Sequence, residues 1–299
     1  MSDTGHSEAH FNEYRDHWWN RDFVALMATR LDWMSKRRVL DVGAGVGHWT
    51  RTILPHLSPQ AKVTAVDTDP KWLQGAASWI DPLRAAGLDV EMAHGDAQTL
   101  PFPDDSFDFV TCQTVLIHVR DPLQAIREMM RVLAPGGLLF CVEPDNSGVV
   151  FARSTFVDEQ SLEDVVNAFA FSMAVERGRR ARGEGDYLLG GLVPALFREA
   201  GLTEIQTWLG DKPHPLYPPY DLPAQKAVVA GIKAWPASMA PHKEAVRTLF
   251  LTGGGDAARF DAYWDKTLAD AIRMGDATDA ERFANGGAVL TYLISGVKP

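Results

Sequence analysis

Between residues 37 and 145, short apolar runs alternate with longer stretches of helical periodicity, and this alternation most constrains the fold. "RRVLDVG" reads as a strand, "GHWTRTILPHL" as a helix, "AKVTAVD" as a strand and "PKWLQGAASWIDPLRAAG" as one helix. "LDVEMAHGD" and "SFDFVTCQTVL" give two further strands. "DPLQAIREMMRVLA" is a helix with an aspartate cap and a proline in its first turn, and the turn "PGG" at 135–137 leads into the strand "LLFCVEP". Strands that alternate with helices form right-handed crossovers, which predicts an α/β chain with a parallel, doubly wound sheet.

Beyond residue 146 the rhythm changes. Residues 155–176 look helical, a helix at 190–200 and the strand "LTEIQTWLG" return to the earlier pattern, and "DKPHPLYPPYD" breaks regular structure. Residues 222–284 read as mostly helical and "GGAVLTYLISGVKP" as a closing strand. The expected organisation is an N-terminal lid helix region at 1–36, with an amphipathic helix over 8–32, and a ligand-binding core at 37–146. The remainder of the sheet lies at 147–299, with helical substrate-cap insertions at 150–186 and 212–284.

A net charge of −10 repels phosphate backbones, so no nucleic-acid partner is expected. Cys112 and Cys141 sit inside apolar runs and read as buried thiols, which fits a reducing cytoplasm. No metal-ligand spacing occurs, no secretory signal is visible, and no apolar run is long enough for a membrane helix. A cytoplasmic protein of unknown oligomeric state is expected.

The segment "VLDVGAGVGHWTR" carries a glycine turn at Gly43, Gly45 and Gly47, where backbone can approach a ligand closely. A dinucleotide fingerprint wants a small residue at the position that His48 occupies. Asp41, two residues before the first glycine, opposes a pyrophosphate and suits a ligand with an ammonium and a sulfonium, such as S-adenosylmethionine. Asp67 ends the second strand about twenty residues on, where an acidic side chain accepts bonds from ribose hydroxyls. That feature is common to NAD and S-adenosylmethionine enzymes. Asp96, with Ala97 beside it, closes the third strand, where its carboxylate could accept a bond from an adenine amino group. Capping roles compete at each site: Asp96 for a short turn, Asp67 or Asp69 for the helix at Pro70.

"VLDVGAGVG", "AVDTDP", "GDAQTLPFPDDSFDFV" and "RVLAPGGLL" resemble, in order, the motifs of class I S-adenosylmethionine-dependent methyltransferases. The resemblance is to the small-molecule, type 11 group, which includes quinone, sterol and natural-product methyltransferases, and it covers roughly residues 37–145. It implies a Rossmann-like, seven-stranded, mostly parallel sheet whose last strand is antiparallel, and S-adenosyl-L-methionine as cofactor. By the same resemblance Asp41, Gly43, Gly45 and Gly47 hold the methionine end, Asp67 with Thr68 the ribose, and Asp96 with Ala97 the adenine. Gln113 borders the methionine moiety.

Methyl transfer is an in-line displacement, and a dry, oriented pocket supplies much of its acceleration. A general base matters only for a protonated nucleophile. His118 is the one catalytic candidate. Tyr14, His17, Trp18, Glu143 and Asn146 are the substrate-side candidates; packing, capping or lid roles compete for all of them. Too few cysteines for arsenic methylation, "CQTV" in place of an "NPPY"-like motif and the lack of a catechol-type metal set leave a small, hydrophobic or aromatic acceptor, methylated on O, N or C. An NAD-linked oxidoreductase and a non-catalytic cofactor-binding subunit remain as alternatives.

Overall fold

The computed structural model describes residues 18–148, 153–287 and 289–299. Seven strands form one sheet: β1 (Arg38–Val42), β2 (Lys62–Asp67), β3 (Asp89–His94), β4 (Phe107–Gln113), β5 (Leu133–Asp145), β6 (Thr203–Leu209) and β7 (Leu290–Val297). Their order is β3-β2-β1-β4-β5-β7-β6. Strands β1 to β5 pair in parallel, and β6 pairs antiparallel with β7. The chain winds outward from β1 to β3 on one side and resumes at β4 on the other. The topological switch point therefore lies between β1 and β4, where open α/β sheets bind ligands.

The helices are α1 (Arg21–Arg30), α2 (His48–Ile53), α3 (Pro70–Gly75), α4 (Ala77–Ala85), α5 (Pro122–Val132), α6 (Thr155–Asp158), α7 (Leu162–Ala181), α8 (Val193–Ala200), α9 (Pro223–Met239), α10 (Lys243–Thr252) and α11 (Phe260–Asp279). Three elements differ from the sequence reading. The N-terminal helix, where described, begins only at Arg21 after the N-cap Asn20, so Trp18 and Trp19 precede it. The single helix expected at 70–87 breaks at Ala76, beside Gly75; there the N–H groups of Ala76 and Trp79 reach carbonyls three residues back. The Pro-Gly-Gly turn lies within the span of β5 rather than before it. The pairing jumps from Phe107–Leu133 to Phe109–Leu138, and the excursion is tied down by Gly136 N–H to Lys298 O and Lys298 N–H to Gly137 O. Helix α5 starts as the sequence predicts, with Asp121 accepting from Gln124 N–H at 2.9 Å and Pro122 in the first turn.

The chain divides into two compact units. Unit 1 comprises residues up to Pro144 with Leu189–Lys212 and Thr291–Pro299; unit 2 comprises Asp145–Leu188 and Pro213–Leu290. Aromatic rings fill the core of unit 1. Trp33 is fully buried between Phe109 and Phe140, with ring centroids 5.4 and 5.3 Å away. The Trp49 indole N–H donates to Thr111 Oγ1 (2.9 Å), and that hydroxyl donates to Phe140 O (2.7 Å), so helix α2 and strands β4 and β5 are joined without an orphaned donor.

Unit 2 holds two apolar clusters, one around Phe156, Leu216, Tyr220 and Phe283, the other around Phe171, Phe250, Phe260 and Trp264. Its helices α7 and α10 meet backbone to backbone at Gly178, where a Cβ would stand 1.8 Å from Leu249 O. Among the described residues no helix is long and apolar enough to cross a membrane. Gly178→Ala must push these helices apart, and is expected to cost about 1–3 kcal/mol of stability in denaturant unfolding. An unchanged midpoint would mean that the helices do not approach this closely.

Candidate cofactor site

Because β1 to β4 run in parallel, their C-terminal ends share one edge of the sheet, and the predicted cofactor residues meet there. Gly43, Gly45 and Gly47 all have positive φ, at 71°, 53° and 73°. Two of them are also sterically obligatory. A Cβ on Gly43 would lie 2.4 Å from Val115 Cγ2, and one on Gly47 would lie 2.5 Å from the Trp79 ring. The turn is held by β2: Gly43 and Ala44 N–H donate to Val66 O at 2.7 and 3.1 Å, and Gly45 N–H donates to Asp67 Oδ2 at 2.9 Å.

Asp41 lies directly beneath this turn and is only 1% exposed. Its Oδ2 accepts from the Thr50 hydroxyl at 2.5 Å, whereas Oδ1 is buried without a hydrogen-bond partner. Burial pushes its carboxyl up to about 7; the Thr50 bond opposes the shift and neighbouring Asp67 reinforces it. Asp67 ends β2, with Oδ1 accepting from Asp69 N–H at 3.0 Å. Burial raises its pKa too, against the lowering effect of the Asp69 and Gly45 N–H groups. Thr68 beside it is exposed, and its carbonyl lies 3.0 Å from His94 Nε2.

Asp96 follows β3, exposed, with Oδ1 accepting from Gln98 N–H at 2.8 Å; Ala97 is buried. The segment after them is fastened by a residue that the sequence reading did not single out. Arg131 of α5 donates to Leu100 O, Phe102 O and Asp104, and pairs with Glu128, whose Oε2 also accepts Leu100 N–H. Only its position before the Pro-Gly-Gly turn marked it. Gln113 ends β4, with Oε1 3.4 Å from His48 Nδ1, so the histidine that departs from the dinucleotide fingerprint is buried against this site. The Trp18 ring lies edge-on to His48, with centroids 6.5 Å apart.

Among the described residues, the substrate-side candidates have different surroundings. Tyr14 and His17 lie outside the described residues. His118 is half-buried in the turn Leu116–His118, its N–H donating to Val115 O at 2.9 Å. Glu143 offers no surface to a substrate. Its carboxylate is fully buried and accepts from the N–H groups of Val115, Leu116 and Ile117. Asn146 directs both its N–H and its Nδ2 to Tyr187 O, at 3.2 and 3.0 Å. Three arginines of the segment "ERGRRARG" are engaged by neighbours: Arg180 pairs with Asp186, Arg182 with Glu184, and Arg179 lies over the Tyr187 ring.

Residues 40–141 match the methyltransferase domain family. Demethylmenaquinone methyltransferase of Listeria welshimeri is 35% identical over 139 residues, which are 46% of this chain and 56% of that enzyme. The Staphylococcus aureus demethylmenaquinone methyltransferase is 39% identical over 107 residues, covering 36% of this chain and 42% of that one. The match thus spans about half the length of these curated relatives. In fold, the chain is similar to a candidate methyltransferase from Bacillus halodurans (TM-score 0.52, 20% identity, covering 93% of this chain and 99% of that one). It is similar to the YcgJ protein of Bacillus as well (TM-score 0.50, 22% identity, with the same coverage). Sheet order, glycine turn and family match agree: residues 40–141 are a methyltransferase domain of the class I, S-adenosylmethionine-dependent type.

Proposed function

We propose that the chain works in the cytoplasm as an S-adenosylmethionine-dependent methyltransferase acting on an O, N or C atom of a small, hydrophobic or aromatic molecule. The observation that carries this reading is Asp41. A buried carboxylate with one oxygen unpartnered, two residues before the glycine turn, attracts a cation through a low-dielectric medium and repels a pyrophosphate. The residues present fit the cofactor. The glycine turn and Gln113 would hold its methionine end, Asp67 with Thr68 its ribose, and Asp96 with Ala97 its adenine. Bound there, the cofactor supplies an electrophilic methyl group on a cationic sulfur.

The chain's own part is to orient and to exclude water. The turn fixes the backbone, Asp67 accepts hydroxyl groups with lone pairs that its two N–H partners leave over, and Asp41, with the turn, would hold the positively charged methionine end. His118 would act as base only where the attacking atom carries a proton at working pH. That the relatives carry the name demethylmenaquinone methyltransferase supports a greasy acceptor. Unit 2 lies almost wholly outside the matched stretch, and we assign acceptor selection to it.

The reading is tested by calorimetric titration of stripped protein with S-adenosylhomocysteine, with NADH in parallel. Stoichiometric binding of the first alone supports it; binding of NADH alone overturns it in favour of an oxidoreductase. Asp67→Ala is expected to weaken S-adenosylhomocysteine binding by about 1–3 kcal/mol, roughly 10- to 100-fold, through lost charge-assisted bonds. Unchanged affinity in a folded variant removes Asp67 from the site.

Asp41 adds a pH dependence. In the free protein its carboxyl is neutral below about 7, and a bound cation favours the ionised form. Affinity for S-adenosylmethionine should therefore rise as pH increases from 6 to 7.5, and Asp41→Asn should flatten that slope. The stability effect has the opposite sign. A carboxyl whose pKa is raised by folding contributes stability at low pH that is lost as pH rises through 7. Ligand-free Asp41→Asn should accordingly gain on the wild type in thermal melts between pH 6 and pH 8.

A further inference from the structure

Leaving β4, the chain enters the left-handed region at Thr114, with φ 57°. That conformation is strained for a β-branched residue, and strain of this kind persists only where surrounding bonds impose it. The bonds are visible. Thr114 N–H still pairs with Val142 O at 2.8 Å, and the next three N–H groups turn back onto one side chain of β5. Val115 and Leu116 donate to Glu143 Oε1 at 2.9 and 2.8 Å, Ile117 donates to Oε2 at 3.3 Å, and the Cys112 thiol lies 3.6 Å from Oε1. Successive N–H groups in such a turn make an anion-binding concavity. Here the anion is a fully buried glutamate of the same chain.

The clamped segment is also a wall of the cofactor site. Val115 packs on Gly43 so closely that no Cβ fits there, and Gln113, at the base of the segment, faces His48. We propose that Glu143 is a positioning residue for the methyl-donor site: it holds the turn after β4 against the glycine turn after β1, with Val115 as the transmitting contact. This rests on the function proposed above and gives Glu143 a role the family match does not specify. The clamp requires the ionised carboxylate, because a protonated carboxyl would set an O–H donor among three N–H donors. Burial pushes the Glu143 carboxyl up to about 7, against the pull of the Leu116, Val115 and Ile117 N–H groups and the Cys112 thiol. The titratable groups around it are the thiols of Cys112 on β4 and Cys141 on β5, with Asp41 on β1 beyond them.

Two measurements on Glu143→Gln separate the clamp from its consequence. Amide hydrogen exchange of the unliganded protein should show reduced protection at Val115, Leu116 and Ile117, and unchanged protection there overturns the clamp. Calorimetric titration should show S-adenosylhomocysteine affinity lowered about tenfold, the effect of a misplaced charge-assisted bond, with part of the wild-type pH dependence near 7 lost. Loosened amides with wild-type affinity and pH profile overturn the positioning role. If Glu143→Gln fails to fold, Val115→Ala keeps the carboxylate clamp and removes the contact with Gly43. It should lower affinity while leaving exchange at Leu116 and Ile117 unchanged, and full affinity in it overturns the proposal. Wild-type protein that binds no S-adenosylhomocysteine overturns the function proposed above and, with it, the cofactor half of this inference; the exchange result still decides the clamp.

Discussion

Everything at the ligand edge depends on three N–H groups of the glycine turn being held by the end of β2. Gly43 and Ala44 donate to the Val66 carbonyl and Gly45 to the Asp67 carboxylate, so the chain cannot continue β1 as a strand. It must turn through backbone angles that only glycine adopts without strain. Asp67 thereby acquires two tasks. One oxygen fixes the turn and the other fixes the start of the segment leading to α3, before any ligand is considered. A carboxylate already locked by backbone donors keeps its orientation.

Three buried carboxylates stand along this edge: Asp41 on β1, Asp67 on β2 and Glu143 on β5. Each costs desolvation energy, and no arginine or lysine is paired with any of them among the described contacts. Their compensation is graded. Glu143 receives three N–H bonds, Asp67 two, and Asp41 a single hydroxyl, which leaves one oxygen over. The least compensated group is the one expected beside a cation. An incompletely paired buried charge is a stability defect in the free protein and a binding determinant once a cation is near, the trade often met at functional sites. By contrast, the Arg131–Glu128–Asp104 network that fastens the segment after Asp96 is partly solvated and fully paired, as expected of a purely supporting role.

The sheet was legible in the sequence because both of its signals are local. Apolar runs such as "FDFVTC" mark strands covered on both faces, and Asp121–Pro122 marks where α5 must start. The residues proposed for the cofactor each sit at or just past a strand end, a place that counting along the chain locates. The role of Glu143 was not legible. Its partners are 26 to 28 residues earlier, and nothing at position 143 announces that three amides will converge there. Arg131 escaped likewise, since its acceptors lie about thirty residues back. The break at Ala76 and the strand pairing of the Pro-Gly-Gly turn were missed because propensity rules read Gly and Pro as boundaries, whereas tertiary bonds decide where the boundary falls.

The helical unit poses a different problem, because its packing is set by what is missing from the sequence rather than by what is present. Gly178 sits in "ERGRRARG", among four arginines. In the structure Arg180 and Arg182 pair with nearby acids and Arg179 lies over a tyrosine ring, while the glycine among them stands where a Cβ would come within 1.8 Å of Leu249 O. A glycine inside a twenty-residue helix lowers its intrinsic stability by about 1 kcal/mol relative to alanine, and here it admits a backbone approach that alanine would block. Close backbone packing of this kind tolerates few relative positions of the two helices. A unit built on it is held by the shape of its backbones rather than by paired charge.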